Sequence, residues 1–297
     1  FLGITIQYEM CYTNILQVLD LSGIPLLSKD RTEEDPIVIG GGPCTYNPEP
    51  VCDFFDLFYI GEGETRYREL IDLYEDCRGR GLSRQDFLKK AACIPGIYVP
   101  SLYEVSYHED GTIKEMKPLE EGIPERILKE MVTEVSDTYY PDKPVVPFIK
   151  VTQDRVVLEI MRGCIRGCRF CQAGQLYRPV RERDVEFLKK YAIAMLENTG
   201  HEEISLSSLS SSDYQKLPEL IDFLIEECSR RKVNISLPSL RIDAFSLDVM
   251  NKVQDVKKSS LTFAPEAGSQ RLRNVINKGL TEEVILQGAK LAFEGGW

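Results

Sequence analysis

The chain has 297 residues, 43% of them hydrophobic, and its 36 Lys and Arg against 47 Asp and Glu leave a net charge of −11. That balance argues against a surface holding nucleic acid through summed positive charge, and no run is long and apolar enough to cross a bilayer as a helix. Nine cysteines sit in a chain large enough to bury ordinary cores, so no disulfide framework is called for.

In chain order, Phe1-Leu2-Gly3-Ile4-Thr5-Ile6 reads as a strand and Thr13 to Leu21 as a helix closed by Gly23-Ile24-Pro25. Pro36-Ile37-Val38-Ile39 is a second strand, running into Gly40-Gly41-Gly42-Pro43. Asp56-Leu57-Phe58-Tyr59-Ile60 is a third, running into Gly61-Glu62-Gly63-Glu64 and then a helix through Tyr74. Strands that end in glycine turns before helices mark a doubly wound sheet whose backbone can approach a ligand closely. Taken alone, such turns serve equally to reverse the chain. Residues 95–150 hold Pro95, Pro100, Pro118, Pro124, Pro141, Pro144 and Pro147 and read as an irregular connector. Within it, Tyr103–Tyr107 and Ile113–Lys117 form a short hairpin that turns at Asp110-Gly111.

From residue 151 the pattern alternates. Val156 to Met161 is a strand with apolar residues on both faces, as in a buried parallel sheet. Helical spacing follows over Val185 to Asn198, stopping at Gly200. Then come a strand at Glu203–Leu209, a helix at Leu217–Arg231, a strand at Asn234–Leu237 and a helix around Ser246–Val253. A fourth strand at Ser260–Phe263 precedes helices near Gln270–Ile276 and Thr281–Glu294. This order builds a parallel β/α sheet or barrel with function at the carboxyl ends of its strands.

The first of those strands ends just before Cys164-Ile165-Arg166-Gly167-Cys168-Arg169-Phe170-Cys171. Thiols three and four residues apart on one loop can be aimed at one metal centre. Structural zinc takes four ligands, usually as two separated pairs, and no second pair exists; the histidines are His108 and His201 alone. Three thiolates suit a four-iron four-sulfur cluster that keeps one iron open. A zinc loop and incidental cysteines are the bland alternatives. The other six cysteines, Cys11, Cys44, Cys52, Cys77, Cys93 and Cys228, are scattered without ligand spacing and read as small buried hydrophobes.

Cys164-x3-Cys168-x2-Cys171, with Phe170 before the last cysteine, resembles the signature of the radical S-adenosylmethionine superfamily. The resemblance implies a 4Fe-4S cluster on the three cysteines whose open iron chelates S-adenosylmethionine, which is then cleaved reductively to a 5′-deoxyadenosyl radical. It extends through Ile37–Pro50, Phe58–Glu64, Ile94–Pro100, Glu159–Arg183 and Thr262–Gly279 to a subgroup of uncharacterised bacterial members with an N-terminal cobalamin-binding-like domain. The fold implied is α/β. Residues 1–94 are the N-terminal part of a doubly wound (Rossmann-like, cobalamin-binding-like) domain, 95–150 the connector, and 151–297 an incomplete (β/α)6 partial barrel. Because such barrels usually hold six β/α units and the first apolar run begins at Phe1 itself, the chain reads as an internal fragment of a longer protein.

Further residues follow from the same resemblance. In the N-terminal domain Gly41 and Gly42 match glycines lying near the nucleotide tail of cobalamin, and Thr5 matches a hydroxyl position, although Gln7 stands where a leucine is common. In the barrel, Ser207-Ser208-Leu209-Ser210 stands where relatives have a Gly-Gly-Glu run for the amino group of S-adenosylmethionine, so Ser208 and Ser210 are its expected substitutes. A polar loop with capping hydroxyls is the alternative. Glu266 and Arg241 occupy places that meet the ribose or methionine, and Phe170 shapes the adenine side. For Glu266 the alternative is a charge favoured at a helix N-terminus.

Arg162, Arg166, Arg169, Arg178, Arg181 and Arg183 crowd the cysteines. Guanidinium groups there would stabilise an anionic cluster; an RNA-contacting patch and a solvated face are the other readings. The expected protein is a cytoplasmic radical S-adenosylmethionine enzyme of unknown substrate, taking electrons from a reductant such as flavodoxin or ferredoxin. The runner-up is a methyltransferase or methylthiotransferase acting on RNA, with cobalamin as methyl carrier. A non-catalytic iron–sulfur or zinc module is the third.

Overall fold

The computed structural model describes residues 1–237, 241–244 and 262–296. The chain forms two compact units, Phe1–Val132 and Thr133–Trp297, so the division falls inside the stretch read above as a connector.

The first unit is built on a four-stranded sheet in the order β1 (Leu2–Thr5), β2 (Val38–Gly41), β3 (Leu57–Tyr59), β4 (Ile97–Tyr98). β1, β2 and β3 run parallel and β4 antiparallel to β3. β2 and β3 are apolar throughout, and Val38, Ile39, Leu57 and Phe58 are buried on both faces of the sheet, as parallel strands require. Helices α1 (Tyr12–Leu21), α2 (Tyr67–Gly79) and α3 (Arg84–Ala91) supply Ile15, Leu19, Leu70, Phe87 and Leu88 to the same core. The first two helices follow the sequence pattern. The third rests on a reciprocal cap in which Ser83 accepts from the Asp86 N–H while Asp86 accepts from Ser83.

Glycine is required at Gly61, where φ is +122° and a Cβ would lie 2.1 Å from the Glu130 carbonyl oxygen. That approach lets Glu130 donate its N–H to the Ile60 carbonyl at 2.9 Å and accept from the Glu62 N–H at 2.9 Å. The hairpin of β5 (Tyr103–Tyr107) and β6 (Ile113–Pro118) forms as its Asp-Gly turn predicts. It belongs to this unit, with Tyr107 donating its hydroxyl to Glu49 at 2.9 Å.

At the amino ends of β2 and β3 lies a charged knot. One carboxylate oxygen of Asp56, just before β3, accepts from Arg31 at 3.0 Å, from Arg84 at 2.7 Å and from the Val38 N–H at 2.7 Å. The side chains of Arg31, Arg84 and Asp56 are 0%, 7% and 2% exposed. Arg31 spends its other donors on the carbonyls of Pro25, Leu26 and Phe54, tying that loop to the strand.

The second unit has a parallel sheet in the order β11 (Asn234–Ser236), β10 (Glu203–Ser207), β7 (Val156–Glu159). Two amphipathic helices, α5 (Val185–Thr199) and α6 (Leu217–Arg231), accompany it. Their buried residues recur at three- and four-residue spacing, as in Leu217, Leu220, Ile221, Leu224 and Cys228. α5 starts at Asp184, which accepts from the Phe187 N–H, and stops at Gly200 with φ +71°. β7 is not buried on both faces as its sequence suggested. Val156 and Leu158 are buried, but Val157 is 40% exposed. The helix expected over Ser246–Val253 and the first half of the strand expected over Ser260–Phe263 lie outside the described residues. Thr262 and Phe263 are in neither helix nor strand.

Candidate metal centre

β7 passes through Ile160 into β8 (Met161–Arg162), which pairs antiparallel with β9 (Arg181–Glu182). At Gly163, with φ +83°, a Cβ would fall 2.6 Å from the Tyr177 carbonyl oxygen, so only glycine turns the chain into the cysteine loop here. The loop returns through α4 (Ala173–Leu176). Cys164 is buried, Cys168 and Cys171 are half-buried, and all three are free thiols. They line one cavity of about 380 Å³ together with Arg166, Phe170, Ser210, Arg241, Glu266 and Lys278.

Two backbone donors are turned on the sulfurs. The Arg166 N–H lies 3.4 Å from the Cys164 Sγ, and the Gly174 N–H, in α4, lies 3.3 Å from the Cys171 Sγ. Such donors stabilise thiolate charge and are what iron–sulfur ligands use. Among the described residues no three His, Cys, Asp or Glu side chains stand close enough to share a single metal ion. A cubane makes a different demand, because each thiolate binds its own iron. Three thiols are the donor set of a cluster that keeps one iron open, whereas structural zinc takes four ligands. Elsewhere, burial pushes the Cys228 thiol up to about 11, which suits an inert core residue. Cys44 and Cys77 are buried too, whereas Cys93 is exposed, contrary to its reading as a core residue.

The charges around the cavity are paired within the chain. Arg166, between the first two cysteines, makes a two-pronged contact with Asp213, 2.9 Å for Nε to Oδ2, and lies 3.6 Å from Asp243. Ser210 donates to Asp213 at 2.7 Å. Arg241 binds both Asp243 oxygens at 2.9 and 3.0 Å and donates to the Lys278 carbonyl at 3.2 Å. Lys278 lies 3.1 Å from Glu266 and 5.7 Å from the centroid of the Phe170 ring. Burial by itself would raise the Asp213 carboxyl, but hydrogen bonds from Arg166 and Ser210 and the nearby guanidinium charges outweigh it and hold it below its ordinary 3.8.

A carboxyl depressed on folding stabilises the folded state above its unfolded value and loses that contribution as pH falls through the folded one. The melting temperature of the protein accordingly falls as pH is taken below about 3.8, and Asp213→Asn flattens the part of that fall due to this carboxyl. An unchanged acid profile in the variant refutes the assignment.

The expected site residues separate into groups. Phe170, Ser210, Arg241 and Glu266 reach the cavity with the cysteines. Ser208 does not line it: its hydroxyl meets that of Ser211 at 2.9 Å and accepts from the Ser210 N–H at 3.2 Å, a loop-capping arrangement. Glu266 is no helix-end charge. It adopts φ +67° and pairs with Lys278, while Ser269 caps α7 (Gln270–Val275). Thr5, Gly41 and Gly42 meet in the first unit, where Thr5 is opposite Gly41 in the β1–β2 register. A Cβ on Gly41 would touch nothing within 4 Å, which leaves room beside the backbone. At Gly42, with φ +93°, it would lie 2.9 Å from the Ile6 carbonyl oxygen, so packing accounts for that glycine.

Sequence reasoning passed over Asp213, Asn277 and Lys278, because nothing local marks a polar residue that becomes relevant only when distant loops converge. The crowded arginines also resolve. Arg162 and Arg183 both bind Glu159, Arg166 binds Asp213, Arg169 and Arg178 donate to the Val275 and Arg166 carbonyls, and Arg181 to those of Pro179 and Tyr177. They stitch this loop to its own unit.

Residues 158–297 match the family model described as Radical SAM superfamily, and residues 1–100 the one described as Radical SAM proteins, N-terminal. An uncharacterised protein of Methanocaldococcus jannaschii is 30% identical over 99% of this chain and 55% of its own length. An uncharacterised methyltransferase of Pyrococcus horikoshii is 23% identical over 93% of the chain and 55% of its own length. The chain thus spans little more than half of these relatives. Among solved structures, the cobalamin-dependent S-adenosylmethionine radical enzyme OxsB, with aqua-cobalamin and S-adenosylmethionine bound, shares the fold at a TM-score of 0.59 and 18% identity, over 97% of this chain and 38% of OxsB.

Proposed function

The chain belongs to the radical S-adenosylmethionine superfamily, and on that premise we propose that it uses a 4Fe-4S cluster, held by Cys164, Cys168 and Cys171, to generate a 5′-deoxyadenosyl radical from S-adenosylmethionine. The carrying observation is the convergence of three free thiols and the paired charges of Arg166, Arg241, Glu266 and Lys278 on one cavity. Cys164, Cys168 and Cys171 would hold the cluster, which would supply the single electron, drawn from a reductant of the flavodoxin or ferredoxin class, that reductive cleavage of S-adenosylmethionine to methionine and the 5′-deoxyadenosyl radical needs.

The residues of this chain bind and orient. The N–H groups of Arg166 and Gly174 support two of the thiolates. Ser210, Arg241 and Glu266 offer the cavity a hydroxyl, a guanidinium and a carboxylate for a zwitterionic cosubstrate. Phe170, 53% exposed, supplies an apolar ring at the rim. In the first unit, Thr5 and the open backbone at Gly41 are the positions offered to cobalamin. Among the described residues no helix is long and apolar enough to cross a membrane; the proposal of a cytoplasmic location rests instead on the reducing conditions that an iron–sulfur centre on free thiols needs.

A second reading, methyl transfer through cobalamin, is favoured by the methyltransferase relative. An RNA substrate draws no direct support from the arginines, each of which makes at least one contact within the chain. Anaerobic reconstitution with iron, sulfide, reductant and S-adenosylmethionine distinguishes the readings. A brown protein that forms 5′-deoxyadenosine is expected. S-adenosylhomocysteine as the main product establishes methyl transfer, and a colourless zinc protein ends the radical reading.

A further inference from the structure

We propose that the turn Val275–Asn277, at the end of α7, is a positioning device for Cys168, the middle thiol of the loop. The inference rests on the reading of that loop as a cluster site. Asn277 donates its side-chain N–H to the Gly167 carbonyl at 2.8 Å, across 110 residues of sequence. The Arg169 N–H donates to the Ile276 carbonyl at 2.9 Å, and the Arg169 guanidinium donates to the Val275 carbonyl. Gly167 and Arg169 flank Cys168, so the peptide groups on both sides of this cysteine are tied to one turn. A ligand whose two peptide planes are both held cannot swing its Cβ away from the cavity without breaking hydrogen bonds.

The turn is itself well braced. Asn277 has φ +54°, the left-handed conformation that commonly ends a helix. The Lys278 N–H closes onto the Arg273 carbonyl at 2.9 Å and the Asn277 N–H onto that of Asn274 at 3.1 Å. Glycine is the default residue for such a position because it carries no steric penalty there. Asparagine tolerates the conformation and adds what glycine lacks, a donor that reaches the cysteine loop. The fit is tight on the other side as well, since a Cβ on Gly167 would lie 3.0 Å from the Asn277 amide nitrogen.

Helix capping and anchoring therefore make opposite forecasts for Asn277→Gly. A capping role alone leaves that variant as sound as the parent. The anchor predicts a protein with unchanged melting temperature that releases iron to a chelator on the order of tenfold faster, the usual scale when a group orienting a metal ligand is lost. Asn277→Asp, which keeps the size but not the donor, behaves the same way. In cluster-free protein the Arg169 amide exchanges with deuterium faster in Asn277→Gly than in the parent.

Wild-type kinetics of iron release in Asn277→Gly, with Arg169 protection unchanged, overturn the inference while leaving the cluster reading standing. A parent protein that takes up no cluster under anaerobic reconstitution removes that reading, and the proposed role falls with it.

Discussion

Replacing any one of Cys164, Cys168 or Cys171 with serine is expected to abolish bound iron and acid-labile sulfide after anaerobic reconstitution, and with them 5′-deoxyadenosine formation. The physical reason is ligand chemistry. A thiolate is soft and is the form that binds iron, whereas a serine hydroxyl stays protonated at neutral pH and offers a hard oxygen. Two thiols cannot carry a cubane that three hold with one corner open, so the loss is of the whole centre. The N–H groups aimed at Cys164 and Cys171 would then face a neutral hydroxyl, losing the charge-assisted part of those bonds. Cys93→Ser, at an exposed position, serves as the control and keeps full iron. Iron analysis decides the matter: a serine variant of the loop that retains parental iron and sulfide contradicts the assignment.

Asp56→Ala is expected to destabilise the first unit by about 3–5 kcal/mol, the range for removing one partner of a buried ion pair. Its carboxylate faces two guanidinium groups, Arg31 and Arg84, at 0% and 7% side-chain exposure, and also receives the Val38 N–H. Deleting it leaves two buried cations without a counter-charge and an orphaned backbone donor at the head of β2. Against a total stability of roughly 5–15 kcal/mol, that is a large share. Asp56→Asn keeps the shape and an acceptor but not the charge, and lies between the two. Chemical denaturation followed by circular dichroism measures both. A shift below about 0.5 kcal/mol for the alanine variant, the size of an ordinary surface change, removes the knot from the list of what holds this unit together.

Local elements were largely legible because the information for them is local. The apolar spacing of Val185–Thr199 and the left-handed cap at Gly200, the Pro-bearing start of the helix at Leu217, and the Asp-Gly turn of the hairpin all act within a few residues. The helix over Arg84–Ala91 escaped notice because its apolar face is short and its cap, Ser83 with Asp86, uses a carboxylate of modest length. The half-exposed face of β7 escaped it too, since a run of Val and Leu looks the same whether one side or both sides are covered.

The cysteine spacing marked which sulfurs could share a centre, because a loop can turn three thiols within eight residues onto one site, whereas the same segment fully extended would spread them over roughly 25 Å. It carried no information about what surrounds them. That Ser210 reaches the cavity and Ser208 does not, that Glu266 meets Lys278 rather than a helix end, and that Asn277 reaches back to Gly167 were decided by tertiary structure. Those contacts join segments separated by 12 to 110 residues, and a polar side chain acquires its partner only when packing of the sheet and its helices brings the loops together.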